Sequence, residues 1–274
     1  MVIFHGDCPD GFGGGFAAWK KFGARATYLP QKHGNPLPRG LSGKEVYVID
    51  FAYPKPLMQK LVRVARRVVA IDHHEMVRPS ALLAHDHRFD LKHSGAMLAW
   101  RYFHPQKAPP VLIRYIEDID LWCFRLPYGK EVSLAVSFLP FEFKSWNRFV
   151  RRFENKSSRV EIIRRAHIML EYEEFLQKKI LGKAVRVRWH GKTHLAVNAP
   201  VFVSELGNEL AKRSTAHIGI IWHRAPDGIR VSLRSIGNVD VAKLAAREGG
   251  GGHPHAAAFR IKKGEKLPWK TLPS

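Results

Sequence analysis

Three short apolar runs near the N-terminal end of this chain each lead into acidic or histidine residues. The first apolar run is followed by His5, the second by Asp50 and the third by Asp72, His73 and His74. Runs of this length predict buried strands, and the helical spacing of apolar residues between them predicts parallel βαβ units. Because the carboxyl ends of parallel strands meet at one edge of a sheet, we expect these carboxylates and imidazoles to lie together.

The rest of the pattern predicts two α/β domains. In the first half we predict strands at residues 2–5, 24–29, 45–50 and 68–71 and helices at residues 12–22, 54–67, 94–103 and 111–119. Two more helices are predicted at residues 146–153 and 160–181. After these helices the pattern predicts a hairpin-like pair of strands at residues 184–189 and 194–197. It then predicts helices at 203–213 and 239–247 and strands at 217–222, 228–233 and 256–261. We therefore predict an N-terminal parallel-sheet domain (1–155), a helical connector (156–182) and a smaller C-terminal α/β domain (183–274).

The charge balance points to polyanionic partners. The 274 residues include 45 Lys and Arg against 24 Asp and Glu, a net charge of +21. Such an excess favours nucleic acid, nucleotides or acidic membrane surfaces, although a solvated cationic surface would give the same composition. Two cysteines, no apolar stretch of about 20 residues and no secretory signal pattern lead us to expect a cytoplasmic protein without membrane segments.

The polar residues at the predicted strand ends are of the types that bind divalent metals. A two-metal site needs a bridging carboxylate with oxygen and imidazole ligands on both sides. The candidates are His5, Asp7, Asp10, Asp50, Asp72, His73, His74 and the pair Asp118 and Asp120. Taken singly, Asp10 and Asp50 could cap helices, His73 could be a core histidine, and Asp118 or Asp120 could pair with a nearby arginine. Cys8 is interpreted as a packing residue, and residues 85–87 as a solvated loop.

A second motif lies near the C-terminal end. Four glycines, Gly249 to Gly252, precede His253, and such a run can offer backbone N–H groups to an anion. Arg234 ends a predicted strand and carries a guanidinium suited to phosphate. The alternative is a flexible loop with an incidental histidine.

These motifs, taken in this order, resemble the DHH phosphoesterase superfamily with its C-terminal DHHA1 domain. The resemblance covers nearly the whole chain through residues 5–11, Asp50, residues 72–74, the segment with Asp118 and Asp120, and residues 249–259. It implies a two-metal site in the first domain, typically with manganese. It also implies a second domain that binds nucleic acid or nucleotides, and a cleft between the domains for the substrate.

The resemblance also assigns roles residue by residue. His5 and Asp7 correspond to ligands of one metal, Asp10 to a ligand of the other, and Asp50 to the bridge. Within the motif that follows the third run, His73 corresponds to a metal ligand. For the last acidic motif we choose Asp118, with Asp120 as the alternative.

The remaining roles concern catalysis and substrate. His74 corresponds to the residue that contacts the scissile phosphate or assists the leaving group, and Asp72 to one that orients a histidine. The substrate-binding positions of the second domain correspond to Arg234, Ser235, Gly250, Gly251, Gly252 and His253. Three departures from the family pattern are the spacing between Asp7 and Asp10, the sequence Ala257-Ala258-Phe259 where the family often has Ala-Ala-Gly-Phe, and His255 where it often has Asn.

We therefore predict a two-metal phosphoesterase that hydrolyses phosphoester bonds of short oligonucleotides or small nucleotides. Its ions would be Mn²⁺, with Mg²⁺ or Co²⁺ as alternatives. The alternative functions are a single-strand exonuclease acting on longer DNA or RNA and a non-catalytic nucleic-acid or nucleotide binder. The oligomeric state is left open, with a homodimer as one option.

Overall fold

The computed structural model describes residues 1–273, which form two compact units, Met1–Leu170 and Glu171–Ser274. The long helix Lys156–Leu181 begins in the first unit and ends in the second. Its ends, Lys156 and Leu181, lie beside the predicted limits of the connector. The three-part division of the chain stays a prediction.

The first unit is built on a five-stranded parallel sheet. Its strands are β1 (Val2–His5), β2 (Tyr28–Gln31), β3 (Glu45–Ile49), β4 (Arg67–Asp72) and β5 (Asp86–Phe89), in the spatial order β2-β1-β3-β4-β5. Every neighbouring pair in this sheet is parallel. The helices are α1 (Pro9–Phe22), α2 (Lys55–Val64), α3 (Arg78–Ala81), α4 (Gly95–Phe103), α5 (Val111–Asp120), α6 (Gly129–Ser137) and α7 (Phe143–Glu154). The predicted N-terminal parallel-sheet α/β fold is confirmed.

Apolar cores cover both faces of this sheet. Phe4 and Ile49 belong to one core, with Phe16 of α1. The alternate strand residues, such as Ile3, belong to the other core, with Met58 of α2. Strands buried on both faces leave polar groups only at their ends, which explains why the predicted strands read as uninterrupted apolar runs.

Several elements of the first unit differ from the sequence-based expectation. The strand expected at residues 24–29 begins later, as β2, and the short helix α3 had not been predicted. Residues 85–87 were expected in a loop, but Asp86 to Phe89 pair with β4 as the edge strand of the sheet. This strand is polar and largely solvent-accessible, so it lacks the apolar run that predicted the central strands. Helix α6 had not been predicted.

The second unit contains a seven-stranded mixed sheet. After α8 (Lys156–Leu181), the strands are β6 (Val185–Trp189), β7 (Lys192–Asn198), β8 (Ile218–Ala225), β9 (Gly228–Ser235), β10 (Gly251–His253), β11 (Ala256–Lys262) and β12 (Lys270–Thr271). Their spatial order is β10-β11-β9-β8-β7-β6-β12, and only the β7–β8 pair is parallel. The helices are α9 (Val203–Arg213) and α10 (Val241–Arg247). The predicted C-terminal α/β domain is thus confirmed.

Across residues 1–273, no helix combines the length and the apolar character that crossing a membrane requires.

Candidate metal centre

The central residue of the candidate site is Asp50, which directly follows β3. Its backbone adopts a left-handed conformation, with φ of 61°, and its N–H donates to the carbonyl oxygen of Ile71 at 2.8 Å. The residue is 1% exposed. The turn after β3 therefore holds a carboxylate at the edge of the sheet, beside the end of β4.

Imidazoles from two neighbouring strand ends surround this carboxylate. His5 Nδ1 lies 3.5 Å from Asp50 Oδ2, and His73 Nε2 lies 3.4 Å from Asp50 Oδ1. His73 Nε2 also lies 3.4 Å from Asp120 Oδ2 and 3.7 Å from Asp10 Oδ2. The expectation that the strand ends bring these groups together is met for β1, β3 and β4.

Asp10 lies in the first turn of α1 and is fixed by a second helix. Its carboxylate accepts the backbone N–H groups of Gly95 and Ala96, at 2.7 and 3.0 Å, at the start of α4. Burial raises the pKa of Asp10 well above its usual range, and the charges of Asp50 and Asp120 raise it further. A bound cation would offset the energy of holding these carboxylates together.

The candidate ligand atoms form three overlapping groups among the described residues. Within each group all ligand atoms lie within 4.8 Å of one another. The groups are His5 with Cys8 and Asp50, Asp50 with His73 and His74, and Asp10 with His73 and Asp120. Asp50 and His73 each belong to two groups. Of these two side chains, only the carboxylate of Asp50 has two ligand atoms with which neighbouring ions could be bridged.

Unsatisfied polar atoms support a fit between this site and divalent ions. Asp50 Oδ1, Asp72 Oδ2 and His73 Nε2 are buried and have no hydrogen-bond partner among residues 1–273. Buried polar atoms without partners are uncommon, and an ion is one of the groups that satisfies them. Carboxylate oxygens and imidazole nitrogens are also suitable ligands for Mn²⁺, Co²⁺ and Mg²⁺.

The contacts of Asp50 keep its carboxyl ionised. Burial by itself would raise the pKa of Asp50, but the neighbouring imidazoles of His5 and His73 outweigh burial and hold the pKa well below its usual range. The proximity of Asp50 in turn raises the pKa of His5. Protons and a metal ion would therefore compete for His5, while Asp50 stays available as an anion.

Asp72 plays a different part from the other acids. Its Oδ1 accepts the backbone N–H of His73 at 2.7 Å and of His74 at 2.9 Å, and lies 2.8 Å from His74 Nδ1. The hydrogen bond with Asp72 raises the pKa of His74, against the opposing effect of burial. This arrangement fixes the orientation of the half-exposed His74 ring, in line with the orienting role expected for Asp72.

Cys8, and not the predicted ligand Asp7, lies beside His5 and Asp50. The Asp7 side chain is exposed and forms a salt bridge with Lys32 at 2.7 Å, outside the three ligand groups. Cys8 Sγ instead lies 3.2 Å from His5 Nδ1 and 3.4 Å from Asp50 Oδ2. It also caps α1 by accepting the N–H of Gly11. The structure thus favours Cys8 over Asp7, and neither the packing interpretation of Cys8 nor the ligand role of Asp7 fits this geometry.

Asp120, and not Asp118, faces the site. Both carboxylate oxygens of Asp118 accept backbone N–H groups, from Arg125 at 3.0 Å and Leu126 at 2.9 Å. Asp118 therefore stabilises the loop after α5 and has no oxygen directed at His73. The choice of Asp118 as the ligand does not fit the structure, and the alternative, Asp120, does.

The predicted anion site of the second unit is more ordered than a flexible loop. The N–H groups of Gly249 and Gly250 donate to carbonyl oxygens at the end of α10. Gly251, Gly252 and His253 form β10, which pairs with β11. A side chain at Gly252 would meet the backbone of Ala256, and its φ of 147° also favours glycine. Packing and pairing thus account for much of the glycine run.

The two polar side chains near this run also have partners. Arg234 donates to Ser204 Oγ at 3.0 Å and to the carbonyl oxygen of Leu233. The buried Ser235 hydroxyl donates to the carbonyl oxygen of Val239 at 2.6 Å. His253 is exposed. Substrate binding by these residues stays a prediction, for which Arg234 and His253 are the more accessible candidates.

Comparisons with known proteins agree with this architecture. The sequence profile of the DHHA1 domain matches residues 197–269. The uncharacterized protein R106 of Acanthamoeba polyphaga mimivirus is 28% identical to the chain in an alignment that covers 99% of this chain and 70% of the viral protein.

Two solved structures share the fold. One is the DHH domain of PF0399, described as a member of the s1p family of ribosomal proteins, with a TM-score of 0.55 and 15% identity. The match covers 96% of this chain and 82% of that one. The other is the pGpG-specific phosphodiesterase PggH from Vibrio cholerae, also with a TM-score of 0.55, at 12% identity. It covers 96% of this chain and 93% of that one.

The chain thus combines a parallel-sheet unit with an acidic and imidazole-rich edge and a mixed-sheet unit. Residues 197–269 of the second unit match the DHHA1 domain. The fold as a whole is shared with a DHH domain and with a phosphodiesterase.

Proposed function

We propose that this protein hydrolyses phosphoester bonds of short oligonucleotides or small nucleotides, using two divalent ions at the edge of the parallel sheet. The observation that carries the proposal is Asp50, a buried and ionised carboxylate with an unsatisfied oxygen. It belongs to two of the three ligand groups, as a bridging carboxylate must.

The ligand groups suggest which residues would hold each ion. His5 and Cys8 would hold one ion, and His73, Asp120 and Asp10 the other. Asp50 would contact both ions, since its Oδ2 lies 3.5 Å from His5 Nδ1 and its Oδ1 lies 3.4 Å from His73 Nε2. When bound, two such ions lower the pKa of water and stabilise negative charge on a phosphoryl group. The second set contains two carboxylates and suits Mn²⁺ or Mg²⁺, whereas a thiol in the first set favours a softer ion such as Co²⁺.

The protein's own side chains would then position the substrate. Asp72 holds the His74 ring by a 2.8 Å contact at Nδ1 and so leaves the opposite side of the ring for another partner. Because the contact with Asp72 raises the pKa of His74, it favours a protonated ring. A protonated His74 could contact the phosphate or give its proton to the departing oxygen.

The substrate class rests on charge and on the second domain. A net charge of +21 would attract an oligonucleotide, which carries several phosphates. A fold shared with a pGpG-specific phosphodiesterase also favours short oligonucleotides. Arg234, on the DHHA1 domain, would supply a guanidinium for a terminal phosphate.

The test compares two labelled substrates, a diadenylate and a long single strand, in the presence of Mn²⁺. We expect turnover of the diadenylate to exceed that of the long strand and to stop when EDTA is added. Preferential, processive degradation of the long strand would instead support an exonuclease. Binding of both substrates without any turnover, whichever divalent ion is supplied, would indicate a non-catalytic binder.

A further inference from the structure

The loop between α5 and α6 exposes large aromatic side chains. We call residues 121–128 the aromatic loop. Trp122 is 80% exposed, Phe124 38% and Tyr128 59%. The rings of Trp122 and Phe124 lie 5.1 Å apart, nearly perpendicular to each other. Exposed aromatic side chains clustered in this way commonly mark a binding surface, because their burial against a ligand is favourable.

The backbone of the aromatic loop is held in an unfavourable conformation. Trp122, Phe124 and Tyr128 have φ values of 56°, 48° and 64°. Bulky residues rarely adopt this left-handed conformation, and it persists where surrounding contacts impose it, often at functional sites.

Asp118 imposes that conformation. Its carboxylate accepts the N–H groups of Arg125 and Leu126, and its carbonyl oxygen accepts those of Cys123 and Phe124. Four hydrogen bonds to one residue thus fix the loop in a form that leaves the rings exposed. The rings are presented in this position before any ligand binds.

The aromatic loop starts at the metal centre. Asp120, whose carboxylate lies 3.4 Å from His73, is two residues before Trp122. Two residues of chain span at most about 7 Å, so the backbone of Trp122 begins close to that of a candidate metal ligand.

The aromatic loop also borders a cationic cavity of about 390 Å³, to which its Arg125 contributes with Lys92, Arg101 and Arg114. Trp122 and Phe124 do not line this cavity. Of the two acids in the lining, Asp118 is occupied by backbone N–H groups and Glu117 lies 2.7 Å from His93. A loop that exposes aromatic rings and also borders a cationic cavity suits a ligand with both a flat ring and negative charge, as in a nucleotide.

We propose that Trp122 and Phe124 form a stacking surface for a nucleobase of the substrate whose scissile phosphate lies at the metal centre. This inference rests on the proposed function, since it assigns to the first unit the recognition of a base of the same substrate, in addition to its phosphate. Stacking tolerates any base, because every base has a π-face. The surface would therefore set a requirement for a base beside the scissile bond without selecting its identity.

The test measures binding of diadenylate in EDTA, which prevents turnover, and compares it with an abasic dinucleotide of the same charge. Trp122→Ala should weaken diadenylate binding about tenfold or more, and Trp122→Phe should retain most of the affinity. The abasic compound should bind equally to all variants. Tyr172→Ala removes another exposed aromatic, one on a regular helix, and should change nothing.

With Mn²⁺ present, Trp122→Ala should raise KM for diadenylate while kcat changes little. Equal diadenylate binding by Trp122→Ala and the unaltered protein would overturn the inference, as would an equal loss for the abasic compound. If turnover is absent but the binding loss at Trp122 is seen, the stacking surface stands and the proposed hydrolysis fails. Because Trp122 is so exposed, an unchanged unfolding midpoint should confirm that Trp122→Ala stays folded.

Discussion

At the residue scale, Asp50 combines burial, ionisation and an oxygen that accepts no hydrogen bond from residues 1–273. The imidazoles of His5 and His73 stabilise this buried charge, but neither donates a hydrogen bond to the free oxygen, Oδ1. The nearby carboxyl of Asp10 has a raised pKa because it is buried beside other carboxylates. An ion shared by these groups would account for both features.

Asp118 and Asp120 provide a direct test of this arrangement. Asp120→Ala should weaken Mn²⁺ binding about tenfold or more, because it removes a ligand atom. The free energy of unfolding should change little in this variant. Asp118→Ala should instead lower the free energy of unfolding by about 2–4 kcal/mol, since two backbone N–H groups lose their acceptor. Calorimetric titration with Mn²⁺ and urea unfolding separate the two effects, and the opposite pattern would restore Asp118 as the ligand.

Cys8 should influence the choice of ion. Its sulfur lies among His5 and Asp50, and sulfur ligands favour softer ions than carboxylates do. Cys8→Asp should therefore raise the affinity for Mn²⁺ relative to Co²⁺, measured by competition between the two ions. Cys123→Asp alters the other, exposed cysteine and serves as the control. An unchanged preference in Cys8→Asp would show that the thiol does not contact an ion.

At the scale of elements, the start of α4 determines the shape of the site. Ser94 caps this helix, and the N–H groups of Gly95 and Ala96 bind Asp10. The helix dipole adds positive potential at that point, which suits a carboxylate. Helix α4 thus fixes one candidate ligand and also limits the space around Asp50.

A substitution at Gly95 tests how closely helix α4 packs against the carboxylate of Asp50. A side chain there would place its Cβ 2.6 Å from Asp50 Oδ1. Gly95→Ala should displace the carboxylate and weaken Mn²⁺ binding about tenfold, at a cost to stability of about 1–3 kcal/mol. Gly182→Ala, whose Cβ would meet nothing closer than 3.5 Å, is the control. Unaltered Mn²⁺ affinity in Gly95→Ala would contradict a ligand role for Asp50 in this position.

Sequence patterns predicted these elements unevenly. The central strands β1, β3 and β4 contain uninterrupted apolar runs because both faces are buried, and so their ends and the residues that follow could be predicted. The edge strand β5 and helix α6 carry no such pattern. The choice between Asp118 and Asp120 depended on hydrogen bonds from Arg125 and Leu126, contacts that only the folded loop reveals. The role of Cys8 likewise depends on a turn that the sequence did not define.

At the scale of the whole molecule, a net charge of +21 coexists with the buried carboxylates of the candidate metal centre. Positive potential attracts polyanions over distances set by ionic strength, whereas the buried carboxylates act only at short range. The sequence alone indicated this combination, and it still supports an oligonucleotide as the substrate. The candidate metal centre lies in the first unit, and the match to the DHHA1 domain lies in the second.

Stability in acid should depend on a histidine of the second unit. His194 is buried, and burial lowers its pKa from the ordinary value near 6.5. The unfolded chain then binds a proton more readily than the folded chain, so the stabilising contribution is present above pH 6.5 and is lost as pH falls through the folded pKa. His194→Gln keeps a donor for Trp189 but cannot titrate. Its free energy of unfolding should fall less steeply below pH 6.5 than that of the unaltered protein, and parallel curves would contradict this account.

The most direct test of the central claim is the metal dependence of Asp50→Asn. This change keeps the shape of the side chain and removes the charge that two ions would share. We expect the unaltered protein to bind divalent ions and to hydrolyse diadenylate with Mn²⁺. Asp50→Asn should remain folded, lose most of its bound metal and show no measurable turnover. Asp50→Asn with unchanged metal content and Mn²⁺-dependent turnover would contradict the account.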